Sequence, residues 1–253
     1  MFVFLGPSFP IHEAKTILPE AVYLPPAAQG DILKAALHRP SFIGIIDGYF
    51  EHVPSVWHKE ILWAMKQGIH VFGASSMGAL RAAELTVFGM VGVGEIFEAY
   101  CSGQIEDDDE VAVAHAPAEE GFIALSTAMV DIRATLNKAQ EQGIISPAIR
   151  AELERIAKNL FYPERTYPAI LKLAASQPGL EALKNWLPQN QVHQKRADAV
   201  LLLQTLKEKF TQLNTPKRVL YTFQHTQIWE RAAREVRQEN QILPEAFARP
   251  STR

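Results

Sequence analysis

The stretch Ile69-His70-Val71-Phe72-Gly73-Ala74-Ser75-Ser76-Met77-Gly78-Ala79-Leu80-Arg81-Ala82-Ala83-Glu84 decides how this chain folds. Its first part is a short apolar run with β-branched residues, which is typical of a buried strand. Its last part is rich in Ala, Leu, Arg and Glu, which all favour a helix. Only small residues and two serines lie between the two parts, so the sequence predicts a strand that turns sharply into a helix.

The turn, Ala74-Ser75-Ser76-Met77-Gly78, is a variant of the G-x-S-x-G nucleophile elbow in which Ala replaces the first glycine. In such an elbow the serine stands above the sheet, and the free N–H groups of the helix N-terminus point at the group that it attacks. The pattern therefore indicates Ser76 as a nucleophile. The alternative is an ordinary strand-to-helix turn in which Ser75 or Ser76 caps the helix.

The composition predicts a globular chain and excludes several classes of protein. The 253 residues are 47% hydrophobic and 21% charged, with a net charge of −3. No apolar run reaches the ~18 residues that a membrane span needs. The single cysteine excludes an intramolecular disulfide and a cysteine-based metal cluster, and it fits a cytoplasmic location. The C-terminal quarter is slightly basic, but too weakly to predict nucleic-acid binding.

Short strands and helices alternate through the first part of the chain. Strands are predicted at 2–5, 21–24, 41–48 and 69–73, with helices at 10–18, 31–37, 55–66 and 77–86. This alternation predicts an α/β fold with an open, mostly parallel, Rossmann- or flavodoxin-like sheet flanked by helices. A weak alternation at 111–115 suggests a fifth strand.

The second part of the chain is predicted to be helical. Helices are expected at 126–142 and 146–160, with others up to residue 239. We therefore predict an α/β core at 1–118, a helical lobe or layer at 119–240 and a flexible tail at 241–253.

Polar and small residues follow three of the predicted strands, where ligands bind in open α/β sheets. They are Gly6-Pro7-Ser8, Asp47-Gly48 and Ser75-Ser76. The first turn of helix 55–66 places His58 and Lys59 near the same edge. Arg81 lies one turn into the helix after the elbow, and Glu84 lies about 12 Å along it at 1.5 Å per residue.

Two other motifs point less clearly to a site. The acidic block Glu106-Asp107-Asp108-Asp109-Glu110 is interpreted first as a solvated loop, with a magnesium site or a docking patch as alternatives. The run Gly92-x-Gly94-x-x-Phe97 lacks the third glycine of a dinucleotide fingerprint, so this interpretation is rejected. No cofactor and no bound metal are expected.

Several blocks in fixed order resemble the TfuA-like proteins. They include Phe4-Leu5-Gly6-Pro7-Ser8, Ile46-Asp47-Gly48-Tyr49-Phe50, Trp57-His58-Lys59-Glu60-Ile61-Leu62, Gly73 to Glu84, Phe88 to Gly94 and Glu106 to Ala112, with a weaker match at Lys195-Arg196-x-Asp198-Ala199. The strong blocks cover roughly residues 1–135. One departure is Ser75, since the family has Ala before Ser-Met-Gly, which leaves Ser76 in register.

The resemblance implies a role in peptide backbone thioamidation. TfuA-like proteins are partners of YcaO enzymes, which activate peptide amides with ATP. The implied activity is hydrolysis of a ubiquitin-like sulfur-carrier protein that ends in a thiocarboxylate, so that sulfide is released for the YcaO partner. The acyl transfer needs a nucleophile, a base and oxyanion donors.

Ser76 is the predicted nucleophile, and the residues around it supply the other roles. His58 is the first choice of base and Lys59 the second, with Asp47 orienting the histidine or capping its own loop. The Met77 amide is the expected oxyanion donor, helped by Gly6, Ser8 or Gly48. Ser75, Gly78, Arg81 and Glu84 complete the predicted substrate-binding set, although Arg81 could instead form an i,i+3 salt bridge with Glu84.

Two other functions remain open at this point. The chain could be a non-catalytic protein that only activates or tethers a YcaO enzyme, as its helical second half and its charge asymmetry suggest. It could also bind a small ligand at the glycine-rich edge of a flavodoxin-like sheet. A homo-oligomer is compatible with each of these functions.

Overall fold

A computed structural model describes residues 1–239 except 52, 176 and 178. It contains a five-stranded sheet in the order β2-β1-β3-β4-β5, in which every neighbouring pair is parallel. The strands are β1 (Phe2–Phe4), β2 (Val22–Leu24), β3 (Phe42–Ile45), β4 (His70–Ala74) and β5 (Val91–Val93). This order is that of flavodoxin-like doubly wound sheets. The predicted fold class is confirmed.

The fifth strand lies earlier in the chain than the sequence pattern suggested. Residues 111–115 do not join the sheet, because they run into a hairpin in which the Ala116 amide donates to the carbonyl of Ile123. Strand β5 instead pairs with β4, with Gly73 opposite Gly92. Gly92 is required there, since a Cβ would lie 2.0 Å from the ring of Phe97. The prediction of a strand at 111–115 was wrong.

Helices connect the strands and make up most of the second half of the chain. They are α1 (Ile11–Ile17), α2 (Asp31–Leu37), α3 (His58–Lys66), α4 (Met77–Leu85), α5 (Glu95–Cys101), α6 (Met129–Glu141), α7 (Pro147–Asn159), α8 (Tyr167–Leu173), α9 (Leu180–Trp186), α10 (Gln194–Gln212) and α11 (Gln227–Glu239). The predicted tail, 241–253, lies outside the described residues.

The two faces of the sheet have separate apolar cores. Phe4 and Leu5, which are neighbours at the end of β1, contribute to opposite faces. Helices α2, α3, α4 and α11 cover one face, and α1 and α10 cover the other. Because both faces are buried, the strands read as continuous apolar runs rather than as alternating ones.

Helix α10 belongs to this second core, although it comes late in the chain. Its apolar side, including Leu202, Leu203 and Leu206, packs on the sheet beside α1. Helices α6 to α9 form a further core of their own around residues such as Ile132, Leu153 and Leu183. The start of α10 lies where these layers meet, since its Lys195 contacts both α6 and the segment that follows α5.

Among the residues that the structure describes, no helix is long and apolar enough to cross a membrane.

Candidate functional site

The ends of β1 and β3 meet at the carboxyl edge of the sheet and are joined there by Asp47. Its Oδ2 accepts hydrogen bonds from the amides of Gly6 (2.8 Å) and Ser8 (3.1 Å), and its Oδ1 accepts one from Ser8 Oγ (2.6 Å). Asp47 is 1% exposed. The structure therefore brings three predicted site residues together, and Asp47 fixes the Gly6–Ser8 loop rather than a histidine.

Three glycines allow α4 to approach the strands closely. A Cβ at Gly78 would lie 1.8 Å from the carbonyl oxygen of Ile45, and one at Gly73 would lie 2.0 Å from the carbonyl oxygen of Gly78. A Cβ at Gly48 would lie 2.6 Å from Cγ of Met77. These contacts seat the N-terminus of α4 directly on the ends of β3 and β4. At Gly73 and Gly78 the atoms in the way belong to the backbone, and at Gly48 they belong to the Met77 side chain, so a side chain would collide at each position.

The turn between β4 and α4 is tight and strained. Ser75 has φ +68°, a left-handed conformation that non-glycine residues seldom adopt, and the Ser76 amide donates to the carbonyl of Ala74 (2.8 Å). Ser75 is fully buried, and its Oγ has no hydrogen-bond partner among the described residues. Strain of this kind persists only where the surrounding structure holds it, and it clusters at functional sites.

Ser76 occupies the N-cap position of α4 without acting as a cap. Within the described part of the chain its side chain makes no capping hydrogen bond; instead its Oγ donates to the carbonyl of Val111 at 3.5 Å. Ser76 is therefore not an ordinary capping serine. Ser76 is 2% exposed, so its hydroxyl lies under the segment that contains Val111.

Lys195, in the first turn of α10, shares this contact. Its Nζ donates to the same carbonyl of Val111 at 2.7 Å, and the residue is 4% exposed. Burial lowers the pKa of the Lys195 ammonium, while the nearby carboxylates of Asp47 and Asp131 act in the opposite direction. The hydroxyl of Ser76 and the amine of Lys195 thus converge on one oxygen atom. A buried amine with a lowered pKa is suited to act as a base.

A cleft of ≈ 880 Å³ opens beside Lys195. It lies between the Gly6–Ser8 loop, α1, the 113–127 segment and the starts of α6 and α10, and Lys195 and Asp131 line it. The cleft therefore reaches Lys195 from outside, with two of the predicted binding residues, Gly6 and Ser8, on its wall.

The residues predicted as bases make their contacts elsewhere. His58 begins α3, and its Nε2 lies 2.7 Å from Oε2 of Glu84. Lys59 Nζ donates to Oγ1 of Thr226 (3.2 Å) and lies 5.4 Å from the centre of the Phe223 ring. These partners belong to α4 and to the segment leading into α11, so neither contact is with Ser76.

Arg81 and Glu84 form a polar group with His58. Arg81 donates from Nη1 to Glu84 (2.8 Å) and from Nε to the carbonyl of Val56 (3.0 Å), which ties α4 to the segment before α3. Burial opposes ionisation of Glu84, but its bonds to His58 and Arg81 together hold its pKa below the ordinary range. The i,i+3 salt bridge between Arg81 and Glu84 is thus present.

The acidic block is neutralised by basic side chains of the helical region. Asp107, Asp109 and Glu110 place their oxygens within 4.8 Å of one another, which is the arrangement that a metal ion would need. The Lys158 ammonium lies 3.0 Å from Asp107 and from Glu110 and also pairs with Asp109. Arg165 binds Asp109 as well (2.8 Å). Because cations already compensate these carboxylates, the block serves to join the 106–110 loop to α7.

Three functional candidates escaped the sequence reasoning: Lys195, Asp131 and the Val111 carbonyl. The signal for Lys195 is the weaker resemblance at Lys195-Arg196-x-Asp198-Ala199. Asp198 also proves structural, since its carboxylate accepts from the amides of Glu95 (3.2 Å) and Ile96 (2.9 Å) at the start of α5.

A comparison with known protein families agrees with the resemblance seen in the sequence. The model of the family described as TfuA-like protein matches residues 47–166, which include Asp47, Ser76, Val111 and Asp131. No curated protein matches the chain.

Proposed function

We propose, from the match of residues 47–166 to the TfuA-like family, that this chain releases sulfide from the thiocarboxylate end of a ubiquitin-like sulfur-carrier protein. The sulfide would supply a YcaO-family enzyme for backbone thioamidation of a peptide. The observation that carries the proposal is the convergence of Ser76 Oγ and Lys195 Nζ on the carbonyl of Val111. Ser76 is the nucleophile and Lys195, rather than His58 or Lys59, is the base.

The first half of the reaction forms an ester. The neutral amine of Lys195 takes the proton of Ser76 Oγ as that oxygen attacks the thiocarboxylate carbon. The resulting ammonium of Lys195 then protonates the sulfur, the C–S bond breaks, and hydrosulfide leaves. The carrier remains bound through its carbonyl carbon to Ser76.

The second half releases the carrier. Lys195, neutral again, takes a proton from water, which attacks the ester carbon. The C–O bond to Ser76 breaks, the serine recovers its proton from Lys195, and the carrier leaves with an ordinary carboxylate. Oxygen has replaced sulfur, and no electrons are transferred.

Negative charge on the carbonyl oxygen requires donors in both halves. The N-terminus of α4 supplies them, because its free N–H groups carry a partial positive charge. The Met77 amide is the first of these. The amides of Gly6 and Ser8 already donate to Asp47, and the Gly78 amide donates to the carbonyl of Ile46 (3.3 Å), so these three are assigned to packing.

The extended end of the carrier is proposed to enter the 880 Å³ cleft. Because the carbonyl of Val111 accepts the hydrogen bonds of both reacting groups, the carbonyl of the substrate must take its place when the carrier binds.

The test is sulfide release from a thiocarboxylated carrier, measured with a sulfide-specific dye without a YcaO enzyme. Ser76→Ala and Lys195→Met are expected to reduce the rate by at least about 100-fold, as losses of a nucleophile or a base do. Lys209→Met is the matched control, since this half-buried lysine of the same helix pairs with Glu208, and the variant should release sulfide at the wild-type rate.

Two further variants separate the alternatives. A loss in His58→Ala as large as that in Lys195→Met would favour His58 as the base. Undiminished release by Ser76→Ala would overturn the proposed hydrolysis and favour a protein that only activates or tethers its partner.

A further inference from the structure

The start of α10, which carries Lys195, is held by a carboxylate from another helix. The N-cap residue of α10, His193, makes no side-chain capping bond to any described residue. In its place Asp131 of α6 accepts a hydrogen bond from the Lys195 amide through Oδ1 at 3.0 Å. Orphan N–H groups at a helix start need such a partner. One residue thus fixes the backbone of Lys195, while Val111 fixes its side chain.

We propose that Asp131 is a positioning residue that holds Lys195 against the Val111 carbonyl and whose negative charge governs the pH at which the amine becomes available as a base. The inference rests on the proposed function and states how the proton affinity of its base, Lys195, is controlled. It stands on geometry: a carboxylate on the wall of the cleft, bonded to the amide of the lysine that lines the same cleft.

Two carboxylates and one carbonyl face Lys195. The carboxylates are Asp47, at the end of β3, and Asp131, on α6, and the carbonyl is that of Val111. Asp47 has its oxygens engaged by three donors of the Gly6–Ser8 loop. It cannot be altered without releasing that loop. Asp131 is therefore the charge that can be changed with the least disturbance of the site.

The sign of the effect follows from the causes that act on Lys195. Burial lowers the pKa of Lys195, and the negative charges of Asp47 and Asp131 raise it. Burial likewise raises the pKa of Asp131, against the effects of Lys195 and His193. Without the charge of Asp131, only Asp47 opposes the effect of burial on the pKa of Lys195. Lys195 should therefore lose its proton at a lower pH.

The first experiment follows Lys195 directly and needs no substrate. The Nζ resonance of Lys195 is titrated by nitrogen-15 NMR in the full-length protein, in Asp131→Asn and in Asp131→Ala. Asparagine keeps the oxygen that accepts the Lys195 amide but removes the charge. The pKa of Lys195 should fall by on the order of one unit in both variants, and the melting temperature should fall by about 2–4 °C only in Asp131→Ala.

The matched control is Asp198→Asn, on the same helix. Asp198 is buried and caps α5, and it is not among the charges that act on Lys195. This variant should therefore lower stability without moving the titration of Lys195. An unchanged or higher pKa of Lys195 in Asp131→Asn would overturn the proposal, and so would an equal shift in Asp198→Asn.

A second readout links the inference to catalysis. The acidic limb of the pH profile for sulfide release should move to lower pH in Asp131→Asn by the shift measured for Lys195. If the acidic limb stays in place while the pKa of Lys195 moves, Asp131 does not set the pH at which Lys195 acts as a base. Wild-type sulfide release by Ser76→Ala would instead refute the hydrolysis itself, while leaving the NMR titration as a valid test of Asp131.

Discussion

Replacement of Gly78 by alanine tests how closely α4 must approach β3 for the site to exist. The added Cβ would lie 1.8 Å from the carbonyl oxygen of Ile45 and 2.6 Å from its carbonyl carbon. Carbon–oxygen contacts are normally about 3.3–3.6 Å, so α4 must move away by about 1.5 Å. Both colliding atoms belong to the backbone, so no side-chain rotation can relieve the contact.

This displacement has a cost in stability and a cost in rate. Overpacking costs about 1–3 kcal/mol, and a backbone collision belongs at the upper end of that range. Each kcal/mol lowers the melting temperature of a chain of this size by about 2–4 °C, so a fall of about 6–12 °C is expected. Because Ser76 is the N-cap residue of α4, a shift on the order of 1 Å should also reduce sulfide release about 100-fold.

Gly143→Ala is the matched control. Gly143 has φ +70°, and a Cβ added there would have no described atom within 4 Å, so alanine adds backbone strain of about 1–2 kcal/mol but no collision. It should lose some stability and keep the wild-type rate. Calorimetry and the sulfide assay on both variants check this. A Gly78→Ala protein that melts within a degree of the wild type and keeps its rate would refute the account of α4.

Three other changes test how the core and the site are held. Asp47→Ala leaves the amides of Gly6 and Ser8 without their buried acceptor and should cost about 3 kcal/mol in denaturant unfolding; a smaller loss than that of a surface Asp→Ala change would contradict its role. Burial raises the pKa of Glu60 to about 7, so stability should decline by about 3 kcal/mol as pH rises from about 4.5 to 7. Glu60→Gln should remove this slope, and an unchanged slope would exclude Glu60 as its source. Trp229 of α11 is buried, so Trp229→Ala leaves a cavity and should cost about 3–5 kcal/mol of stability. Proteolysis of the variant that is confined to α11 would support this role of Trp229, and full protease resistance would contradict it.

The sequence predicted the sheet and the bend because both depend on local patterns. Apolar runs of four or five residues, separated by helices, could form only a buried parallel sheet. The small residues from Gly73 to Gly78 indicated a close strand–helix turn, and the backbone contact between these two glycines is the reason they are small. Strand β5 was missed since three residues, one of them glycine, carry almost no periodic signal.

The proposed base, Lys195, could not be predicted from the sequence in the same way. Lys195 lies far along the chain from Ser76, on a helix whose other polar residues mostly face solvent. Lys195 faces inwards because α10 packs on the sheet, and nothing in the sequence around it marks it as different from the other lysines of the helix. His58 was expected near the elbow because α3 begins at that edge, but its imidazole is bound by Glu84, two turns into α4. Side-chain pairing of this kind is decided by tertiary structure.

The proposed hydrolysis requires an ester between Ser76 and the carrier, and mass spectrometry can detect it. The protein is mixed with thiocarboxylated carrier, quenched in acid within milliseconds to seconds, and examined by intact-mass spectrometry. We expect a species equal in mass to the protein plus the carrier less H₂S, with the link on Ser76 after proteolysis, and no such species in Ser76→Ala. Rapid sulfide release with the same adduct on Ser75, or with an undiminished adduct in Ser76→Ala, would contradict it.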